Sequence, residues 1–159
     1  MKDIREFINI VENSQLYFHG SREKLAIGTI LNPMSEYDND VEVLLVEKVL
    51  ENFRPTDCIP RNKSVYMVSD PDPDLIDRAG GYSNFIYQVK PQGKIEKNDV
   101  HWWAKILDNI YDENHLSRNF ISEYLKKMAI NYWAGNASNR PTWEYRCESA
   151  IIVSLQNKD

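Results

Sequence analysis

Apolar residues recur along this chain with two periods, and the period sets the expected element. Ile4, Phe7, Ile8 and Val11 return every three or four residues, as one face of a short amphipathic helix does. Val46, Val49, Leu50 and Phe53 make a second stripe, opened by the capping run Asp38-Asn39-Asp40 and stopped by Arg54-Pro55. Trp103, Ile106, Leu107 and Ile110 form a third, and Ile121, Tyr124, Leu125, Met128 and Tyr132 the strongest. Between the helices lie strand-like runs: Tyr17 to Ser21, Ser64 to Val68, and Asn84 to Val89, which Pro91-Gln92-Gly93 ends. A late strand starts near Glu144, and the unbroken apolar run Ala150 to Leu155 predicts a strand buried on both faces. A short helix through Leu75, Ile76 and Ala79 follows the Asp70-Pro71-Asp72-Pro73-Asp74 run, whose carboxylates favour a helix N-terminus. Ala134 to Thr142 reads as a loop. Strands interleaved irregularly with short helices predict an α+β fold.

Length and composition narrow this to one domain, because 159 residues with 42% hydrophobic content fill one core and not two. A net charge of −5 and a pI near 5.3 argue against general nucleic-acid binding, which needs a basic face. Cys58 and Cys147 stand far apart with no C-x-x-C pair, so neither a disulfide framework nor a metal site is expected, and both thiols are expected to be reduced. Met1-Lys2-Asp3-Ile4-Arg5 carries an acid where a signal peptide needs an apolar run, and no later stretch suits a bilayer. The expected location is cytoplasmic, with no membrane partner and no role for the sequons at Asn62 and Asn136.

The candidate chemistry begins at Tyr17-Phe18-His19-Gly20-Ser21. A glycine after a polar ring lets backbone come close to a ligand, so Gly20 can offer its N–H and C=O to a flat carboxamide while His19 meets a ribose hydroxyl. His19, Tyr66 and Glu144 then fall, in that order, at or beside three predicted strands. A strand ending in His-Gly-Ser, a tyrosine in a second strand and an acid at the start of a late strand resemble the His-Tyr-Glu branch of the ADP-ribosyltransferase superfamily.

The resemblance is greatest to the small rifampicin ADP-ribosyltransferase type and spreads over most of the chain. It rests on Tyr17 to Ser21 with Leu25, Gly28 and Leu31, on Val65-Tyr66-Met67-Val68, and on Phe85 to Glu96 with its Pro91-Gln92-Gly93 turn. Gly135-Asn136 through Tyr145-Arg146, with Ala150 to Val153, completes it. Where that type carries a functional aspartate after the Pro-x-Gly turn, this chain has Asn98 followed by Asp99. Glu144 instead falls where the toxin and poly-ADP-ribose polymerase branches keep a glutamate.

The resemblance implies two small split sheets around an NAD cleft, flanked by short helices, and a mono-ADP-ribosyltransferase that releases nicotinamide and uses no metal. His19, Gly20, Ser21 and Tyr66 would bind NAD, with Tyr66 stacking on nicotinamide, a contact worth about 1 kcal/mol beyond area burial. Catalysis would rest on His19, Tyr66 and Glu144, the glutamate stabilising positive charge that develops on the ribose. The acceptor would be a protein or a small molecule. A nucleic-acid acceptor and a non-catalytic NAD- or protein-binding module are the alternatives; an RNA 2′-phosphotransferase would show more basic residues near the histidine than Arg22 and Lys24.

Plainer readings stand beside each residue. Tyr66 suits a half-buried strand, and Glu144 suits an exposed partner of Arg140 or Arg146. Glu148, placed by alternation on one face with 144 and 146, and Asp99 are the competing acids. His101-Trp102-Trp103 lines an acceptor pocket or packs into core, and His115 reads as a solvated loop residue.

Overall fold

Polar caps fix where the helices begin. The computed structural model describes residues 4, 15–33, 40–112, 114–117 and 120–157; the expected helix on Phe7, Ile8 and Val11, and the capping positions Asp38 and Asn39, lie outside them. Asp40 caps α1 (Val41–Asn52) by accepting from the Glu42 N–H. Asp72 caps α2 (Pro73–Arg78), with Pro73 at its first position, where a missing N–H costs nothing. Ser122 caps α4 (Glu123–Trp133) by accepting from the Leu125 N–H, whereas α3 (His101–Asn109) starts without a side-chain cap at its own N-cap residue. The described residues thus hold four α-helices and a 3-10 turn at Arg61–Lys63.

The strands are β1 (Tyr17–Ser21), β2 (Ile30–Leu31), β3 (Val65–Met67), β4 (Phe85–Gln92), β5 (Glu96–Asp99), β6 (Leu116–Ser117), β7 (Phe120–Ile121), β8 (Trp143–Cys147) and β9 (Ser149–Leu155). They form an antiparallel sheet in the order β1-β4-β9-β2, a second in the order β3-β8-β5, and the small β6-β7 pair. The mixed α+β class follows. One core lies between the two larger sheets, from Tyr87, Val89, Ala150 and Ile152 on one and Val65, Met67 and Cys147 on the other. A second core is helical, built on Val46, Leu50, Ile106, Leu125, Met128 and Tyr132. The three-stranded sheet therefore has both faces covered.

Three expectations need correction. β4 runs through Pro91 and ends only at Gly93, whose φ is +79°. Pro91 is tolerated because its ring nitrogen points toward β1, which has already ended opposite Val89. β9 is not buried on both faces: Ala150 and Ile152 enter the core while Val153, at a register irregularity opposite Gln88 and Val89, is 43% exposed. Among the described residues, no layer of the kind that a continuous apolar run implies covers its outer face. β8 stops at Cys147, so Glu148 is not on the strand face of 144 and 146 but exposed in the turn.

Candidate functional site

β1 and β3 touch at one isolated bridge, where Phe18 and Val68 exchange N–H···O=C bonds of 2.8 and 2.9 Å. Successive residues of a strand point their backbone groups to alternate edges. Gly20 therefore turns its N–H and C=O to the edge that Phe18 uses, and beyond the bridge no partner takes them among the described residues. Tyr66 likewise turns its carbonyl toward β1, and His19 reaches across to it, Nδ1 lying 2.8 Å from the oxygen. The strands part into a fork, with His19 at its crotch. Burial lowers the His19 imidazole below its ordinary value, the Tyr66 carbonyl pulling weakly the other way, so the ring is neutral at pH 7 and donates from Nδ1.

Gly20 is required by the chain itself. A Cβ there would lie 2.0 Å from the Tyr82 carbonyl oxygen and 2.7 Å from Ile76 Cγ2. The segment after α2 roofs this strand end, and Arg22 in turn lies 4.4 Å above the Tyr82 ring. Ser21, at the end of β1, accepts from the Glu23 N–H at 3.1 Å.

Tyr66 stands directly across from Arg146, and Glu96 and Asn98 pair with Arg146 and Glu144 from the other side. Opposed residues share a face, so Tyr66, Glu96, Asn98, Glu144 and Arg146 all face the helices. Tyr66 is half-buried, its hydroxyl donates to the Arg61 carbonyl at 2.7 Å, and the Arg61 guanidinium lies 5.2 Å from its ring. Burial raises its phenol well above the usual value, so it stays protonated.

Glu144 is only 1% exposed. Its Oε1 accepts from Arg61 Nη1 and from the Tyr132 hydroxyl, both at 2.6 Å, while Oε2 is the one buried side-chain polar atom without a partner among the described residues. Arg61 also donates to the Tyr132 hydroxyl and, through Nε, to both Glu47 oxygens at 2.9 and 3.1 Å; Trp103 Nε1 donates to Glu47 at 3.0 Å. The exposed pairing with Arg140 or Arg146 is thereby corrected: the partner is Arg61. Arg146, fully buried, is instead held by Glu96, Asn98, the Ile59 carbonyl and Ser64.

The competing acids are otherwise occupied. Burial acts to raise the Asp99 carboxyl, but donors from Ser138, Thr142 and His101 outweigh it and hold the group low, with bonds of 2.7 to 3.0 Å. Asp99 ties the 134–142 loop to the start of α3. Asn98 accepts from Arg146 and donates to the Tyr132 carbonyl at 2.8 Å, a donor role that an aspartate cannot fill.

Trp102 and Trp103 pack against the helical core, and Trp102 Nε1 donates to the Asn136 carbonyl. His115 does sit in a turn, but half-buried and not solvated: it bonds Ser122 Oγ at 3.0 Å and lies 4.9 Å from the Tyr124 ring.

His19 and Tyr66 thus meet through the backbone, and Tyr66 and Glu144 are joined by Arg61. Sequence reasoning missed Arg61, Glu47 and Tyr132. Arg61 and Glu47 stand where no strand pattern marks them, and Tyr132 reads as one more core residue of a helical stripe. Beside Arg61 and Glu47 opens a cleft of about 380 Å³, also lined by Leu44, Lys48, Glu51 and Asn62. No helix of the described residues is long and apolar enough to cross a membrane. No protein-family model and no curated protein matches the chain.

Proposed function

We propose that this protein is an NAD-dependent mono-ADP-ribosyltransferase acting on a protein or small-molecule acceptor. The observation that carries the reading is the fork between β1 and β3, which leaves the Gly20 N–H and C=O without a partner among the described residues, beside the His19 ring. A donor and an acceptor on one residue, at an open strand edge, match the two complementary groups of a carboxamide. His19, neutral and donating from Nδ1 to the Tyr66 carbonyl, keeps Nε2 as an acceptor for a ribose hydroxyl. Tyr66 supplies the aromatic wall and Ser21 a further hydroxyl.

Breaking the bond between nicotinamide and ribose sends the bonding electrons to the leaving nicotinamide and positive charge to the ribose. Glu144 supplies the opposing carboxylate, and its partnerless Oε2 fits a ligand hydroxyl. The acceptor's nucleophile then attacks the ribose carbon and loses its proton. Replacing one such electrostatic group costs on the order of 100-fold in rate.

A second reading is favoured by one contact: the Arg61 ion pair that buries Glu144. A carboxylate committed to structure suits a non-catalytic NAD- or protein-binding module on the same scaffold. The deciding experiment is nicotinamide release from labelled NAD by purified protein in cell lysate. Wild type is expected to release nicotinamide and label an acceptor, while His19→Ala and Glu144→Gln are expected to do both about 100-fold more slowly; NAD binding without turnover supports the module.

A further inference from the structure

We propose that Glu47, Arg61 and Tyr132 are positioning residues for Glu144, holding it by Oε1 so that Oε2 alone is presented to the ligand, and leaving the group with net negative charge. The inference rests on the reading of Glu144 given above.

A glutamate has several rotamers, and a carboxylate turned about its last bond exchanges its two oxygens. Here one oxygen is fixed by two donors from different elements, Arg61 in the 3-10 turn and Tyr132 on α4. Tyr132 is a dependable donor, because burial pushes its phenol far above the usual range and keeps the proton in place. The other oxygen is buried and, among the described residues, unbonded. A buried charged atom left unpaired is costly, and a ligand hydroxyl is the donor that would complete it.

Arg61 alone would undo the chemistry, since a cation beside Glu144 cancels the charge that opposes a positive ribose. Glu47 resolves this. It accepts both contacts of the Arg61 Nε, so one cation lies between two carboxylates and the triad as a whole stays at −1. The Trp103 indole fixes Glu47 in turn. Arg61 can therefore hold Glu144 rigidly without neutralising the site. Glu47, unlike Glu144, is only half-buried and also lines the 380 Å³ cleft.

The test is a double-mutant cycle read by nicotinamide release, with kcat and KM for NAD measured on the full chain for wild type, Tyr132→Phe, Glu144→Gln and the double variant. Thermal melting checks that each folds. Tyr132→Phe removes one bond to a charged oxygen and should lower kcat about 10-fold with KM held within about twofold. The double variant should be no slower than Glu144→Gln alone, because the clamp acts only through that carboxylate. Glu47→Gln, which leaves every Glu144 contact in place, should also lower kcat and not raise KM. Equal fold losses from Tyr132→Phe in both backgrounds, or a Glu47→Gln effect confined to KM, overturn the inference while leaving the transferase intact. Absence of release from wild type, or release from Glu144→Gln at the wild-type rate, overturns the site reading and this inference together.

Discussion

At the scale of single residues, one position is set by packing and another by desolvation. Gly20 has the Tyr82 carbonyl where a Cβ would go. Gly20→Ala must push the 80–82 segment off the strand, and overpacking of this kind costs about 1–3 kcal/mol. A lowered urea midpoint is the expected result, and an unchanged one would show that the segment yields freely. His19 carries a pH dependence. Its folded imidazole titrates below the unfolded value of about 6.5, so below that pH the unfolded chain binds more protons than the folded one. His19 thus contributes stability above about pH 6.5 that is lost as pH falls through the folded value. Denaturant unfolding between about pH 7.5 and 5 should give a steeper loss for wild type than for His19→Gln. The strand placement of His19, Gly20 and Tyr66 was legible in the sequence, because the runs around them are recognisable strands. Arg61 was not, because its partners Glu47, Tyr132 and Glu144 come from three separate elements.

At the scale of elements, legibility followed side-chain chemistry. α1 was readable from an apolar stripe and a capping side chain acting together, and α4 from its stripe alone, the Ser122 cap emerging only in the structure. The Ser122 cap doubles as the partner of His115 and so also ties down the segment preceding α4. Ser122→Ala should cost about 1–2 kcal/mol, a shift measurable by thermal melting and larger than for Asp40→Ala, whose exposed cap bond is 3.3 Å long. β5 escaped notice because Glu96, Lys97, Asn98 and Asp99 offer no apolar alternation. Its inward residues are polar because the face they join is a charged layer around Arg146. β9 misled for the opposite reason: a run rich in β-branched residues looks the same whether one face or both are covered.

At the scale of the whole molecule, burial separates the two thiols. Cys147 is fully buried between the sheets and Cys58 is half-buried, and neither is paired. In the native protein a thiol reagent should modify Cys58 first, and both should react promptly in denaturant. Prompt native reaction of Cys147 would mean that the core between the sheets opens readily. Charge and hydrophobic content carried the expectations of one domain and of no general basic face from composition alone. They could not reveal that the three-stranded sheet has an apolar core on one face and, on the other, a charged layer beneath the helical core. That arrangement depends on which residues end up opposed across strands, and strand register is not written in any local window.

The Phe18–Val68 bridge joins the edges of the two larger sheets with just two backbone hydrogen bonds. Those two amide protons are therefore a built-in gauge. Their exchange with deuterium follows the opening of the seam and not the unfolding of either sheet, so their protection factors, compared with those of the β4–β9 ladder, measure the stiffness of the joint at which the fork begins.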